Sequence, residues 1–362
     1  MIAAGLLLLT GITVASAAPE TRFDLMLDPR LELAGIVEML SSPASGTQST
    51  TRVVDFMLPH PEERARIERR FGSFRTHAAV RLHAEPEVRA FKMDARGQVL
   101  LRLTEPPSLE ELPGSSPAAH TPGIGGSGLV DRWIGSLRGF ARDSRYMEFH
   151  RESSRQLELE VARYKNEVIQ GDYLAKIDAY TGLRYRGRYR FVFTRFIRLG
   201  AAMLMVTHHG GAVQITSIVG PDEEAPPESR THFPIFPDDI WHESAHGILD
   251  ESTDRFREEF SAKQALFIAP TRDCHDWHHC VREHITQAVA ARLVRAELGA
   301  AAAEKVLADA VKTGLPYMQA IDRSLEEYET HRKRYPTLFD FYPRILAAFP
   351  EAPTASRPQS AP

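Results

Sequence analysis

Residues Asp238 to Ser252 read DDIWHESAHGILDES. An acidic pair directly after Pro237 suits a helix start, and Trp241, Ala245, Ile248 and Leu249 recur at helical spacing, so the stretch predicts a capped helix with one apolar face. Residues four apart on a helix lie one above the other, so His242 and His246 project the same way and can converge on one metal ion. Glu243 is rotated by about 100° from His242, which lets its carboxylate reach a metal-held water without ligating the metal. This is the HExxH pattern, in which one zinc ion acidifies a water and the glutamate serves as general base and then acid in hydrolysis.

The helix cannot complete the site alone. A metzincin would place a glycine and then a third histidine downstream, where this chain has Leu249 and Ser252. Asp250 lies eight residues beyond His242, about 12 Å along the axis, whereas each donor must come within about 2 Å of one zinc. Asp250 and Glu251 can instead hydrogen-bond a ligand imidazole from behind or lie on a solvated helix end. The third ligand therefore belongs to a second element, where His275, His278, His279, Glu283 and His284 are the candidates.

Several of these lie in or beside CHDWHHC, which holds both cysteines of the chain, Cys274 and Cys280. In an oxidising compartment so close a pair forms a small disulfide loop. A metal site built from the same cysteines with His275, His278 and His279 is the rival reading, although its spacing matches none of the common paired-cysteine patterns. The N-terminus, MIAAGLLLLTGITVASAAPE, supports export: an apolar run ends at Ala15-Ser16-Ala17, predicting a signal peptide over 1–17, cleavage near Ala17/Ala18 and a secreted or periplasmic product. No later segment approaches the roughly 20 unbroken apolar residues of a membrane span, so no stable membrane insertion is expected after cleavage.

With 362 residues, 43% hydrophobic and 25% charged, the chain has the composition of a globular protein able to bury a sizeable core. A net charge of -4 without a long basic tract gives no electrostatic reason to expect nucleic-acid binding. Helical periodicity marks RLELAGIVEMLSS, PEERARIERRFGSFR and the span from Leu129 to about Gln170. The Gly- and Pro-rich residues 106–128 predict an exposed loop. RYRFVFTRFIRL, AAMLMVTHH and AVQITSIVG, separated by Gly200 and Gly210-Gly211, predict three short strands in an antiparallel meander. From the HESAH helix to about Phe349 the chain reads helical, and 351–362 has a disordered composition.

DPRLELAGIVEMLSS, FGSFRTHAAV, LRGFARDSRYMEFHRES, the HESAH helix, VREHITQAVAARL and YETHRKRYPTLFDFYPRI, in this order, resemble the bacterial family called domain of unknown function 4932. The resemblance spans most of the chain after the signal, and only HESAH is specific by itself. Members of that family are regarded as exported gluzincin-like metallopeptidases. The resemblance therefore implies a zincin-like fold, a peptide or protein substrate, and Glu283 in VREHITQ as the third zinc ligand. Tyr328, His331 and Tyr335 fall in the late helical segment, where a phenol or imidazole could stabilise an oxyanion or simply pack.

The sequence thus predicts an α+β, mostly helical protein over 18–350. A small antiparallel sheet precedes the HExxH helix, and the C-terminal part is helical. The expected function is zinc-dependent hydrolysis with His242, His246 and Glu283 as ligands and Glu243 as base. The competing reading is a non-catalytic exported protein that holds the metal structurally.

Overall fold

The computed structural model describes residues 23–41, 61–89, 93–113, 126–163, 172–184, 187–194, 203–209, 212–219, 237–271 and 274–351; the signal segment 1–17 and residues 352–362 lie outside them. Within these bounds the chain runs β1 (Phe23–Leu27), α1 (Pro29–Ser41), α2 (Pro61–Phe71), α3 (Ala78–His83), α4 (Pro86–Arg89), α5 (Met93–Leu100), α6 (Gly126–Asp143), α7 (Tyr146–Arg163) and α8 (Tyr173–Thr181). It continues through β2 (Gly187–Phe193), β3 (Met203–His209), β4 (Ala212–Val219), α9 (Pro237–Asp254), α10 (Arg257–Ser261), α11 (Trp277–Leu298), α12 (Ala300–Thr313), α13 (Met318–Thr330) and α14 (Leu338–Ala348). The protein is mostly helical, and no described helix is long and apolar enough to cross a membrane.

The expected antiparallel meander is not the sheet that forms. The strand order is β1-β2-β4-β3, with β1 parallel to β2, β2 parallel to β4, and only the β3–β4 hairpin antiparallel. The reason is visible in β2, where Tyr189, Phe191, Val192 and Phe193 are all buried. A strand apolar on both faces belongs inside a sheet rather than at its edge. The sheet meets that need by inserting β4 between β2 and β3 and by adding β1, a strand the sequence reading missed.

Side-chain alternation then divides the core. Leu25, Tyr189, Phe191, Phe193 and Val219 face α8, α9 and α11, whereas Val192 and Ile218, with Met26 against them, join the apolar residues of α1, α2, α3, α6 and α7. The first helix is fixed to the sheet by charge as well as packing. Asp28 caps α1 by accepting the Arg30 amide at 2.9 Å, and Thr194 at the end of β2 donates to Glu32 at 3.0 Å.

Residues 106–113, expected to be exposed, are partly fastened down: Leu109 is fully buried, and Arg138 on α6 donates to the carbonyls of Ser108 and Leu109, both at 2.7 Å. Residues 114–125 of that expected loop lie outside the described set, and α6 has begun by Gly126.

The helix that carries HESAH sits against the first core. Ile240, Trp241, Ala245 and Leu249 are buried along one stripe of α9, the face that the spacing predicted. Trp241 packs on Tyr173 of α8, ring centres 5.1 Å apart. Helix α8, also missed from sequence, opens on Asp172, which accepts the Ala175 amide at 2.8 Å, and closes on Gly182 at φ 67°. A Cβ on Gly182 would lie 2.3 Å from the Pro336 carbonyl oxygen, so only glycine lets this turn pack beneath α14.

Helix α11 has buried residues around most of its circumference, among them Val281, His284, Ile285, Ala288, Val289 and Ala291, and it packs against α9, α12 and α13. A helix apolar all round belongs in the middle of a bundle. Its start is set by Asp276, whose carboxylate accepts the His279 amide at 2.9 Å, and by a disulfide between Cys274 and Cys280 with Cα atoms 4.4 Å apart.

Candidate metal centre

Where α9 and α11 cross, three side chains converge. His242 and His246 point the same way from α9, as their spacing requires, with ring centres 4.8 Å apart and planes at 85°. Their Nε2 atoms are 3.2 Å apart. Glu283, in the second turn of α11, brings Oε2 to 3.3 Å from His242 Nε2 and Oε1 to 3.4 Å from His246 Nε2. All three are largely shielded from water, with side-chain exposures of 15%, 7% and 14% in the order His242, His246, Glu283.

Zinc takes nitrogen and oxygen donors at about 2.0–2.1 Å in a tetrahedron, so two of its ligand atoms stand about 3.3 Å apart. The histidine nitrogens stand at that spacing, each has one Glu283 oxygen at a similar range, and the donor set of two imidazoles and a carboxylate is one that zinc accepts. The tautomer of His246 agrees. Its Nδ1 lies 3.0 Å from Asp250 Oδ1, an acceptor that places the ring proton on Nδ1 and leaves the Nε2 lone pair facing the centre.

The three groups shift one another's protonation. Burial alone would pull His242 and His246 down, yet both rise above the usual imidazole value because Glu283, and for His246 first Asp250, face them. Burial would likewise push Glu283 up, but its hydrogen bonds to the two histidines hold it well below the ordinary carboxylate range. The buried carboxylate thus favours positive charge beside it. Glu243 is buried beside them, and burial, only partly offset by the two histidines, raises its carboxyl. No hydrogen bond among the described residues holds that carboxylate.

The other candidates for third ligand have different employment. His284 is turned into the core, with Nδ1 at 2.7 Å from the Cys280 carbonyl and Nε2 accepting the Tyr317 amide at 3.2 Å; burial pushes it down to about 4. His278 lies 3.0 Å from the Asp254 carboxylate. His275 is exposed and stacks on His279 at 4.9 Å. Only His279 reaches the centre, with Nε2 at 3.3 Å from Glu283 Oε1. Cys274, Cys280 and His284 also lie together, but the two sulfurs are bonded to each other and offer no thiolate.

The oxyanion candidates are not brought to the site. Tyr328 is fully buried and donates its hydroxyl to the Tyr180 carbonyl at 2.8 Å. His331 closes its own helix, with Nδ1 at 3.0 Å from the Glu327 carbonyl. Tyr335 packs edge-on against Phe341. Of the two acids after the motif, Asp250 backs His246 while Glu251 pairs outward with Arg255 at 2.8 Å.

Sequence reasoning missed Arg282 and Asp254. The arginine immediately before Glu283 brings Nη2 to 2.5 and 2.6 Å from the two oxygens of Asp254, two helical turns past His246. The signal was present in the spacing, since Asp250 and Asp254 continue the four-residue register of the two histidines.

Residues 118–348 match the family model described as a domain of unknown function (DUF4932). The match covers well over half of the chain, which therefore belongs to that family, as the resemblance implied. No curated protein and no solved structure matches it.

Proposed function

We propose that this member of the domain of unknown function 4932 family is an exported zinc-dependent hydrolase of zincin type, acting as a peptidase on peptide or protein substrates. The observation that carries the reading is the convergence of His242 Nε2, His246 Nε2 and the Glu283 carboxylate, mutually 3.2 to 3.4 Å apart, beside a buried Glu243. A zinc ion at that point would supply Lewis-acid polarisation and a water acidified to a pKa of about 7.

The chain's own residues do the rest. Asp250 holds His246 with its Nε2 lone pair toward the centre. Glu243 has a carboxyl raised by burial, which suits a group that must take a proton from the attacking water and return it to the leaving amine.

A closed structural site is the second reading, favoured by one observation: His279 Nε2 stands 3.3 Å from Glu283 Oε1 and offers a fourth nitrogen. One experiment separates the two. The purified mature protein is assayed for zinc content and against a mixed peptide library, with and without chelator. One zinc per chain with chelator-sensitive cleavage supports the hydrolase. One zinc without cleavage favours the closed site, and no zinc removes both readings.

A further inference from the structure

The two helices that bring the ligands together are joined by one guanidinium. Arg282 and Glu283 are consecutive on α11; Asp250 and Asp254 follow His246 by one and two turns on α9. Arg282 Nη2 engages both oxygens of Asp254 at 2.5 and 2.6 Å, and its Nη1 lies 3.7 Å from Asp250 Oδ2. The opposite oxygen of Asp250, Oδ1, is the one that faces His246 Nδ1 at 3.0 Å. Arg257 Nη2 at 3.7 Å and His278 Nε2 at 3.0 Å also face Asp254 Oδ1.

We infer that Arg282 is a positioning residue of the metal centre, one that holds Asp250 against His246 and thereby sets the strength with which the site takes a divalent metal. The inference rests on the zinc reading above. Asp250 and Asp254 are like charges at i and i+4 on α9, a spacing at which they repel. Left to themselves both carboxylates would turn toward water, and Asp250 has the exposure to do so, with 26% of its side chain open. The guanidinium between them removes that repulsion. Its two terminal nitrogens divide the task, Nη2 on both oxygens of Asp254 and Nη1 toward Asp250, a spread that a single ammonium does not provide.

The second consequence concerns register. Glu283 must arrive opposite His242 and His246 to within a fraction of an ångström, and the residue beside it is anchored to the helix that bears both histidines. The clamp ties Glu283 to the helix of both histidines through protein contacts alone. Holding a ligand imidazole by a carboxylate that is itself held is the arrangement that tunes metal affinity in proteins.

The test measures zinc affinity by chelator competition, with the visible spectrum of the cobalt-substituted protein as a second readout, in wild type, Arg282→Gln, Arg282→Lys, Asp250→Asn and the double variant Arg282→Gln/Asp250→Asn. Circular dichroism first establishes that each is folded; should Arg282→Gln fail to fold, Asp254→Asn takes its place. The expected result is a loss of about 10- to 100-fold in zinc affinity for Arg282→Gln, with altered cobalt bands and partial recovery in Arg282→Lys. The double variant should bind no more weakly than Asp250→Asn alone, because the arginine acts through that aspartate. Wild-type affinity in Arg282→Gln, or losses that simply add in the double variant, would overturn the inference while the zinc site stands. A wild type that binds no zinc would remove the site and the inference together.

Discussion

On the side of the sheet away from HESAH, the first helix buries its own carboxylate beside a histidine. Glu38 accepts from Arg96 Nη1 at 2.6 Å, His83 Nε2 stands 3.7 Å away, and the three residues are 8%, 2% and 1% exposed in the order Glu38, Arg96, His83. Arg96 also donates to the Val88 carbonyl at 3.0 Å. At the candidate metal centre Glu283 is nearly as well buried and has three histidines at similar range, but no arginine or lysine pairs with its carboxylate among the described residues. Burying acid with imidazole therefore does not make a metal site. The Glu38 cluster carries its own cation. The Glu283 cluster has donors converging from two helices, with a second buried carboxylate, Glu243, beside them.

The sharpest way to break this comparison is to remove the converging carboxylate. Glu283→Ala is expected to lose stoichiometric zinc, whereas His279→Ala and His284→Ala retain it, read as metal per chain after dialysis. Zinc retained in Glu283→Ala and lost in either histidine variant would move the third ligand. Next in size is Glu243→Gln, which keeps the three donors and removes the base. Turnover should fall by about 10²- to 10⁴-fold at unchanged zinc content, so metal analysis and peptide hydrolysis must part company.

The partner cluster makes the converse prediction. Arg96→Ala leaves Glu38 buried without its cation, a change that costs about 3–5 kcal/mol in comparable buried pairs. Denaturant unfolding should show that loss, and zinc affinity should stay as it was. The same cluster sets an acid limit. Burial holds His83 below its ordinary 6.5. Burial would raise Glu38, but His83 and Arg96 more than offset it and hold that carboxyl below 4.5. Both groups bind fewer protons folded than unfolded. Stability is therefore full above about pH 6.5 and falls as pH drops, first through His83 and then through Glu38. Unfolding curves of wild type and His83→Asn between pH 8 and pH 4 test the sign for this cluster; a wild type whose stability relative to the variant rises on acidification in this window would contradict it.

The smallest effect expected is that of the disulfide. Opening Cys274–Cys280 with reductant, or replacing both by serine, should cost about 2 kcal/mol for so short a loop, and mass spectrometry of the alkylated, unreduced protein counts the thiols directly. The bond lies one turn ahead of Glu283, so a drop in zinc affinity larger than the drop in stability would tie the loop to the metal centre rather than to the fold.

Local pattern was readable wherever one residue's place depends on neighbours a turn away. The buried stripe of Trp241, Ala245 and Leu249, the common direction of His242 and His246, and helices α1 and α2 all follow from a period of 3.6 residues. Elements whose reason lies elsewhere in the chain were misread. β1 is five residues long, too short for periodicity to mark, and it exists because β2 needs a neighbour on its far edge. Helix α8 is nine residues and owes its closing turn to a glycine packed beneath Pro336. The three later strands are present and β3–β4 forms the antiparallel hairpin a meander implies, but β2 pairs parallel to β4 rather than with β3, because chain proximity favours a hairpin while the burial of Val192 and Phe193 on opposite faces favours an inner position for β2.

The same division runs through the site. Sequence alone established the helix, its two imidazoles and the carboxylate between them, since a rigid helix fixes the relative direction of residues one and four apart whatever surrounds it. It also implied that any third donor to a metal held by those histidines comes from another element, because a straight helix cannot bend a distant acid back onto its own histidines. Which donor arrives was decided by packing. His279, Glu283 and His284 share one helix within five residues, and the rotation of α11 against α9 brings Glu283 to the histidines, leaves His279 beside it and buries His284 against Tyr317. That rotation is set by apolar contacts along the whole of α11 and by Arg282 reaching Asp254. It depends on the sum of many distant contacts, none of which a local window of sequence contains.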